Sequence, residues 1–266
     1  MTTRQLPIRM VAKVWGRDQL PPPFTAPPGE RIGEIWFEPP PELPQLLVKY
    51  LFTSEKLSVQ VHPSDETALP GEAGKEECWL VLDAEPDARL AIGFVRKVSA
   101  EEIAAAAQDG SIEHLLEWHP ARAGDLFYLP AGTVHAIGPG LCLVEVQQNS
   151  NTTFRLYDYG RPRELHLERA LAVARREPYD TRHRRSVADG QTLVEGLHFR
   201  LDRIEGVPDA ATRAAYPGVL LALPLAGEVA AQDGAIRARA GECLVADGLD
   251  ALDFAAAEIT LLIRPG

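Results

Sequence analysis

Short apolar runs broken by turn residues dominate the chain from Leu46 onward. Residues 46–52, 57–61, 78–82, 88–94, 125–129 and 141–147 are each rich in Val, Ile, Leu and aromatic side chains. Runs of this length between Gly, Pro, Asn and Asp clusters predict β-strands. Several in succession predict a sandwich or a barrel. The opening third carries Pro21-Pro22-Pro23, Pro27-Pro28 and Pro39-Pro40-Pro41. Proline lacks a backbone donor and has a fixed φ, so this stretch is predicted as loops around edge strands. Three helices interrupt the pattern. Ser99 followed by Glu102 forms a capping box for a helix reaching about Ala107. A second helix is expected over 111–118. A third is expected over 164–177, where Leu165, Leu167, Leu171 and Val173 alternate with charge as on a surface helix covering a barrel. Arg175 and Arg176 then fall where the helix dipole favours cations.

Residues 180–190 are polar and charged and read as a linker, beyond which the strand pattern resumes. A weak internal echo accompanies it. Ala123-Gly124-Asp125-Leu126-Phe127 is answered by Ala240-Gly241-Glu242-Cys243-Leu244, and the second copy is not followed by a histidine. The division this suggests is a chemically active unit over 1–180 and a smaller, degenerate β unit over 191–266, a barrel or half-barrel without metal ligands. Chance similarity of two strand–turn pieces is the alternative reading of the echo.

With 266 residues and 45% hydrophobic content the chain can bury a sizeable core. No apolar run approaches the roughly 20 residues needed to cross a bilayer, and Met1 to Val11 lacks the apolar stretch of a signal peptide. Cys78, Cys142 and Cys243 sit among apolar neighbours without CxxC spacing, as reduced core residues do. These features predict a cytoplasmic protein. A net charge of -11 without a basic stripe argues against nucleic acid and anionic membranes as partners. No obligate protein partner is indicated. An anionic small substrate would require a local group of Lys and Arg.

The polar positions inside the strands carry the chemistry. In Leu57-Ser58-Val59-Gln60-Val61-His62-Pro63, alternation puts Ser58, Gln60 and His62 on one face. A polar row facing a barrel interior is costly unless each group is satisfied, and a metal with bound water would satisfy it. Gly124-x5-Pro130-x-Gly132-x2-His135 shapes a tight turn before a histidine that re-enters the interior. This spacing resembles the second signature motif of the cupin superfamily, whose usual terminal Asn would fall at Pro139. The fold class expected is therefore mainly β, a jelly-roll-like cupin barrel with a few covering helices. Of Glu76 and Glu77 only one can face inward. Glu77 would share its face with Trp79 and Val81. One carboxylate, two imidazoles and an amide oxygen make a donor set suited to zinc with room for a further ligand.

An ordered series of motifs then resembles the type I mannose-6-phosphate isomerases of the short bacterial kind. It runs through Val14-Trp15-Gly16, Gly33-Glu34-Ile35-Trp36, the Gln60/His62 strand, Gly74-Lys75-Glu76-Glu77-Cys78-Trp79 and Pro130-Ala131-Gly132-Thr133-Val134-His135. It ends in the polar block from Glu145 to Asn151 that leads into Phe154-Arg155-Leu156-Tyr157-Asp158-Tyr159-Gly160-Arg161. The resemblance implies that Gln60, His62, Glu77 and His135 bind one Zn2+ per chain, and that Arg155 and Glu145 sit at the active site. The reaction implied interconverts mannose 6-phosphate and fructose 6-phosphate through an enediol. Lys75, two residues before Glu77, is a proton-transfer candidate beside Glu145, and Arg161 with Ser58 is the expected phosphate site. Phe154 stands where short members more often have Tyr, Glu76 where a small polar residue is common, and the large helical insertion of longer members is missing. Two other readings are a metal-binding cupin that senses a (phospho)sugar without turnover, and an iron oxygenase, for which Gln60 would be an unusual ligand. His114, His119, His166, His183 and His198 lack ligand spacing and read as surface or packing residues.

Overall fold

The computed structural model describes residues 3–266, so Met1 and Thr2, the start of the unit expected over 1–180, lie outside the described residues. Its strands form three antiparallel sheets. The seven-stranded sheet runs in the order Arg184–Ser186, Asp125–Leu129, Glu77–Ala84, Leu141–Gln148, Leu46–Phe52, Ile32–Phe37 and Ile8–Arg17. The five-stranded sheet runs Phe154–Tyr157, Val59–Val61, His135–Ile137, Arg89–Phe94 and Leu116–Pro120. The eight-stranded sheet is built on Leu220–Ala231 and Ala257–Pro265, with Phe199–Glu205, Thr192–Glu195 and Leu244–Ala246 around them. The mainly β, cupin-like class read from the sequence is the one observed. Hydrogen bonding does not close it into a barrel, because the seven- and five-stranded sheets pair within themselves.

Alternation along the strands explains how the layers stack. In Leu46–Phe52, the side chains of Leu46, Val48, Tyr50 and Phe52 join a core with Phe199, Leu201, Leu221, Leu223, Leu261 and Ile263 of the eight-stranded sheet. Leu51, on the opposite face, packs with Trp79, Leu90, Ile92, Phe127 and Ile137 between the seven- and five-stranded sheets. The outer face of the five-stranded sheet is covered by Ile103, Ala106 and Ala170 of the helices Ala100–Asp109 and Leu167–Val173. Because both faces of the central strands are buried, they read as unbroken apolar runs.

The helix after Ser99 has the expected capping box, the Ser99 hydroxyl accepting from Glu102 N and the Glu102 carboxylate accepting from Ser99 N. Three other expectations change. The helix sought over 111–118 is one turn, Ile112–Leu115, after which Leu116–Pro120 pairs with Arg89–Phe94, since sheet pairing outweighs local propensity. The helix over 164–177 shrinks to Leu167–Val173, and Arg175 bridges to Thr133 instead. The polar linker over 180–190 contributes an edge strand, Arg184–Ser186, paired with Asp125–Leu129. The two halves of the sequence echo share one geometric detail, a left-handed glycine before the strand, with φ of 87° at Gly124 and 88° at Gly241. Among the described residues no helix is long and apolar enough to cross a membrane.

Candidate metal and sugar site

Three neighbouring strands of the five-stranded sheet set Arg155, Gln60 and His135 side by side, since Gln60 is the register partner of both. Glu77 begins the facing strand, where its side chain shares the inward face with Trp79 and Val81. His62 follows Val61 at the strand end. The ligand atoms of His62, Glu77 and His135 lie within 4.8 Å of one another, all three residues buried.

Each imidazole is oriented from behind. His62 Nδ1 lies 2.8 Å from the Thr152 carbonyl, and His135 Nδ1 lies 2.9 Å from the Thr133 carbonyl. With the proton on Nδ1, donated to those carbonyls, each Nε2 is a bare acceptor. Yet His62 Nε2 lies 3.6 Å from Glu77 Oε2, and His135 Nε2 lies 3.4 Å from Glu77 Oε1. Two lone pairs facing a carboxylate in a buried space repel unless a cation sits among them. Lys75 supplies one positive charge, its Nζ 3.1 Å from His62 Nε2 and 2.5 Å from Glu77 Oε2. Burial, reinforced at His62 by Lys75, holds both imidazoles below their ordinary pKa and so in the neutral, ligating form. Burial works to raise the Glu77 carboxyl, but the Lys75 ammonium, which also donates to it, outweighs burial and keeps it ionised. Gln60 borders the group, its amide nitrogen 3.3 Å from His135 Nε2 and its oxygen accepting from Ser58 Oγ at 3.0 Å. The donors therefore fit a divalent metal ion of the borderline kind.

The polar block after Glu145 acquires a structural reason here. Gln147 Nε2 donates to the carbonyls of Gln148 and Ser150, Ser150 Oγ donates to Ala73 O, and Thr152 N donates to Ser150 Oγ. The chain of bonds fixes the loop whose Thr152 carbonyl orients His62.

A cavity of about 100 Å³ opens beside this group, lined by Lys13, Trp15, Glu34, Lys49, Ser58, Gln60, Lys75, Glu77, Trp79, Glu145, Thr153, Arg155 and Arg163 among others. Its floor is an alternating row of charges. Lys13 lies 3.4 Å from Glu34, Glu34 3.9 Å from Lys49, Lys49 3.0 Å from Glu145, and Glu145 3.5 Å from Lys75. Trp79 Nε1 also donates to Glu145. With Glu77, which Lys75 also contacts, the three lysines of the cavity face three glutamates.

The cavity wall includes every residue that the sequence suggested for catalysis, Lys75, Glu145 and Arg155, together with Ser58. Arg161 stands elsewhere. It donates to Lys56 O, Glu55 and Asp158, and lies against the Tyr159 ring. In the loop after Tyr157 strand alternation no longer dictates direction, and Arg163 is the loop arginine that reaches the cavity. Lys49 and Glu34 escaped the sequence reading. Lys49 lies within the apolar run Leu46–Phe52, where only its parity with Leu51 shows that it faces the site.

No family model matches the chain. Mannose-6-phosphate isomerase ManA of Bacillus subtilis is 38% identical over 192 residues, which cover 67% of this chain and 61% of that protein. A mannose-6-phosphate isomerase of Streptococcus mutans is 46% identical over 136 residues, 48% of this chain and 43% of that one. The chain thus spans less than two thirds of the length of the curated relatives it matches. Among solved structures, a mannose 6-phosphate isomerase from Bacillus subtilis superposes with a TM-score of 0.79 at 24% identity, covering 99% of both chains. A phosphomannose isomerase variant from Salmonella typhimurium gives 0.73 at 13% identity over the whole of both. The fold is thus that of a cupin-like, mainly β protein of the phosphomannose isomerase architecture. By sequence, the chain is similar to mannose-6-phosphate isomerases over as much as 67% of its length.

Proposed function

We propose that this protein is a zinc-dependent aldose–ketose isomerase that interconverts mannose 6-phosphate and fructose 6-phosphate. One observation carries the proposal: Glu77, a member of the buried His62, Glu77 and His135 group, lines one cavity with Lys75, Glu145 and Arg155. The names of the relatives support it. Gln60, His62, Glu77 and His135 would hold one zinc ion, and bound zinc would supply Lewis-acid polarisation of sugar oxygens.

The reaction moves a proton between C1 and C2 while negative charge builds on the carbonyl oxygen. Glu145 and Lys75 stand 3.5 Å apart and form the acid/base pair that takes the proton from one carbon and returns it to the other. Lys49 also holds the Glu145 carboxylate, its Nζ 3.0 Å from the same Oε1 that lies near Lys75. Arg155 offers a guanidinium to the anionic substrate, and Ser58 a hydroxyl. Trp15, Leu51, Leu57, Trp79 and Ile137 form the apolar part of the wall and limit water around the reacting carbons. Residues 191–266 we read as a structural unit, since among the described residues the one group able to hold a metal lies outside them.

A coupled assay of mannose 6-phosphate turnover, run with and without chelator and paired with metal analysis, tests the reading. Chelator-sensitive turnover restored by zinc supports it. A zinc-loaded protein that binds the sugar phosphate without isomerising it would leave a sensing cupin instead.

A further inference from the structure

Two guanidinium groups face the cavity, and one of them lacks a partner. Arg155 makes no side-chain hydrogen bond or ion pair with a described residue, and its Nε is buried and unsatisfied. A buried guanidinium N–H without an acceptor, as at Arg155 Nε, is rare. Arg163 lines the same wall, and Asp158 holds it in a bidentate grip, Nε to Oδ2 at 2.6 Å and Nη2 to Oδ1 at 2.7 Å. Asp158 is itself almost fully buried, so the grip is rigid. The two cations also disfavour each other. Burial first, and Arg163 second, make the Arg155 charge harder to keep.

The lysines of the cavity do not relieve this repulsion, because each is matched by a glutamate. With a divalent ion added, the site would carry an excess of positive charge at the metal and at the arginine pair. A small dianion would compensate it. Ser58 and Thr153, two hydroxyl-bearing side chains, line the same cavity as the arginines.

We propose that Arg163, fixed by Asp158, pairs with Arg155 to bind a phosphoryl group, and is the residue that selects phosphorylated over free sugar. The inference rests on the isomerase reading above for its substrate, though the anion pair itself can be tested separately. Arg161, which the sequence spacing favoured, has its donors taken by Glu55, Asp158 and the Lys56 carbonyl and does not line the cavity.

Inorganic phosphate is the direct probe, followed by the fluorescence of Trp15 and Trp79 in the cavity wall. Arg163→Ala should weaken phosphate binding and raise KM for mannose 6-phosphate in parallel, each about 10- to 100-fold, as expected for losing a charge-assisted contact. Metal content and kcat should change little, kcat by less than roughly threefold. Arg163→Lys keeps a charge without the planar fork and should lie between. Arg161→Ala should leave both constants within about twofold, as for a contact made outside the cavity. Should Arg163→Ala fold poorly, the lysine variant carries the test. Wild-type phosphate affinity in a folded Arg163 variant would overturn the proposal, as would an equal loss in Arg161→Ala. A wild-type protein that binds phosphate through Arg163 yet leaves mannose 6-phosphate unchanged would sink the isomerase reading and keep the anion pair.

Discussion

Replacing Lys49 by Met probes how far the alternating charge row supports the fold. Lys49 Nζ lies 3.0 Å from Glu145 and 3.9 Å from Glu34, and all three residues are buried. Burial alone would lower the ammonium pKa, but Glu145, Glu34 and Glu77 outweigh it and raise it, so the group stays charged. Met fills a similar volume without charge and strands two buried carboxylates. Removing one partner of a buried pair costs about 3–5 kcal/mol. The remaining contacts, Lys13 at 3.4 Å from Glu34 and Lys75 at 3.5 Å from Glu145, take up part of the loss. The lower end, about 3 kcal/mol, is therefore expected, corresponding to a fall in Tm of roughly 6–12 °C at 2–4 °C per kcal/mol. Adding Glu34→Gln removes one of the stranded charges, so the double variant should regain about 1 kcal/mol. Urea unfolding followed by circular dichroism measures both quantities. If Lys49→Met loses less than about 1 kcal/mol, or if the second substitution deepens the loss, charge balance is not what holds this row together.

Three further outcomes are expected. Gln147→Leu should free the loop that orients His62 and weaken binding of added divalent metal about 10- to 100-fold, measured by chelator competition; unchanged affinity would show that Thr152 needs no such anchor. Gly132 has φ of 83°, and a Cβ there would approach Val173 O to 2.7 Å. Gly132→Ala should therefore disturb the turn before His135 and lower the metal content of the purified protein, an outcome that full occupancy would contradict. For Glu34, burial raises the carboxyl pKa, but Lys49, Lys13 and Trp36 outweigh it and the net shift is downward from 4.5. A depressed carboxyl contributes stability above its unfolded value and loses it as pH falls through the folded one. Glu34→Gln should thus flatten the acid side of the stability curve below pH 4.5, and an unaltered slope would refute the assignment.

Much of the site was legible because strand alternation is a strict rule. It put Ser58, Gln60 and His62 on one face, and chose Glu77 over Glu76 through Trp79 and Val81. The same rule hid Lys49, since a strand buried on both faces reads as one apolar run and gives no sign of which face holds the site. The loop arginines were beyond the rule altogether. Beyond Tyr157 the backbone turns through Tyr159, with φ of 56°, and Gly160, with φ of 75°, so spacing no longer fixes which guanidinium faces inward. The helix over 164–177 came out too long because Arg175 and Arg176 suit a cationic helix end, whereas Arg175 N is drawn to Gly132 O. The polar block from Gln147 to Thr152 was recognisable only through resemblance, because its purpose is to orient a histidine 90 positions earlier.

The face that the seven-stranded sheet turns toward the eight-stranded one has a bearing on biosynthesis. Ile35, Val48, Tyr50, Phe52, Val144 and Val146 are covered by side chains from Phe199 to Ile263. Arg4 finds its strand partner about 240 positions later, at Val245. At typical ribosome speeds, a sheet that can pair once Gln148 has emerged waits on the order of ten seconds for its cover. During that interval it presents a broad greasy surface to every other nascent chain nearby. Yield in a cell should therefore depend on chaperone capacity and on the pace of translation through the last third of the message.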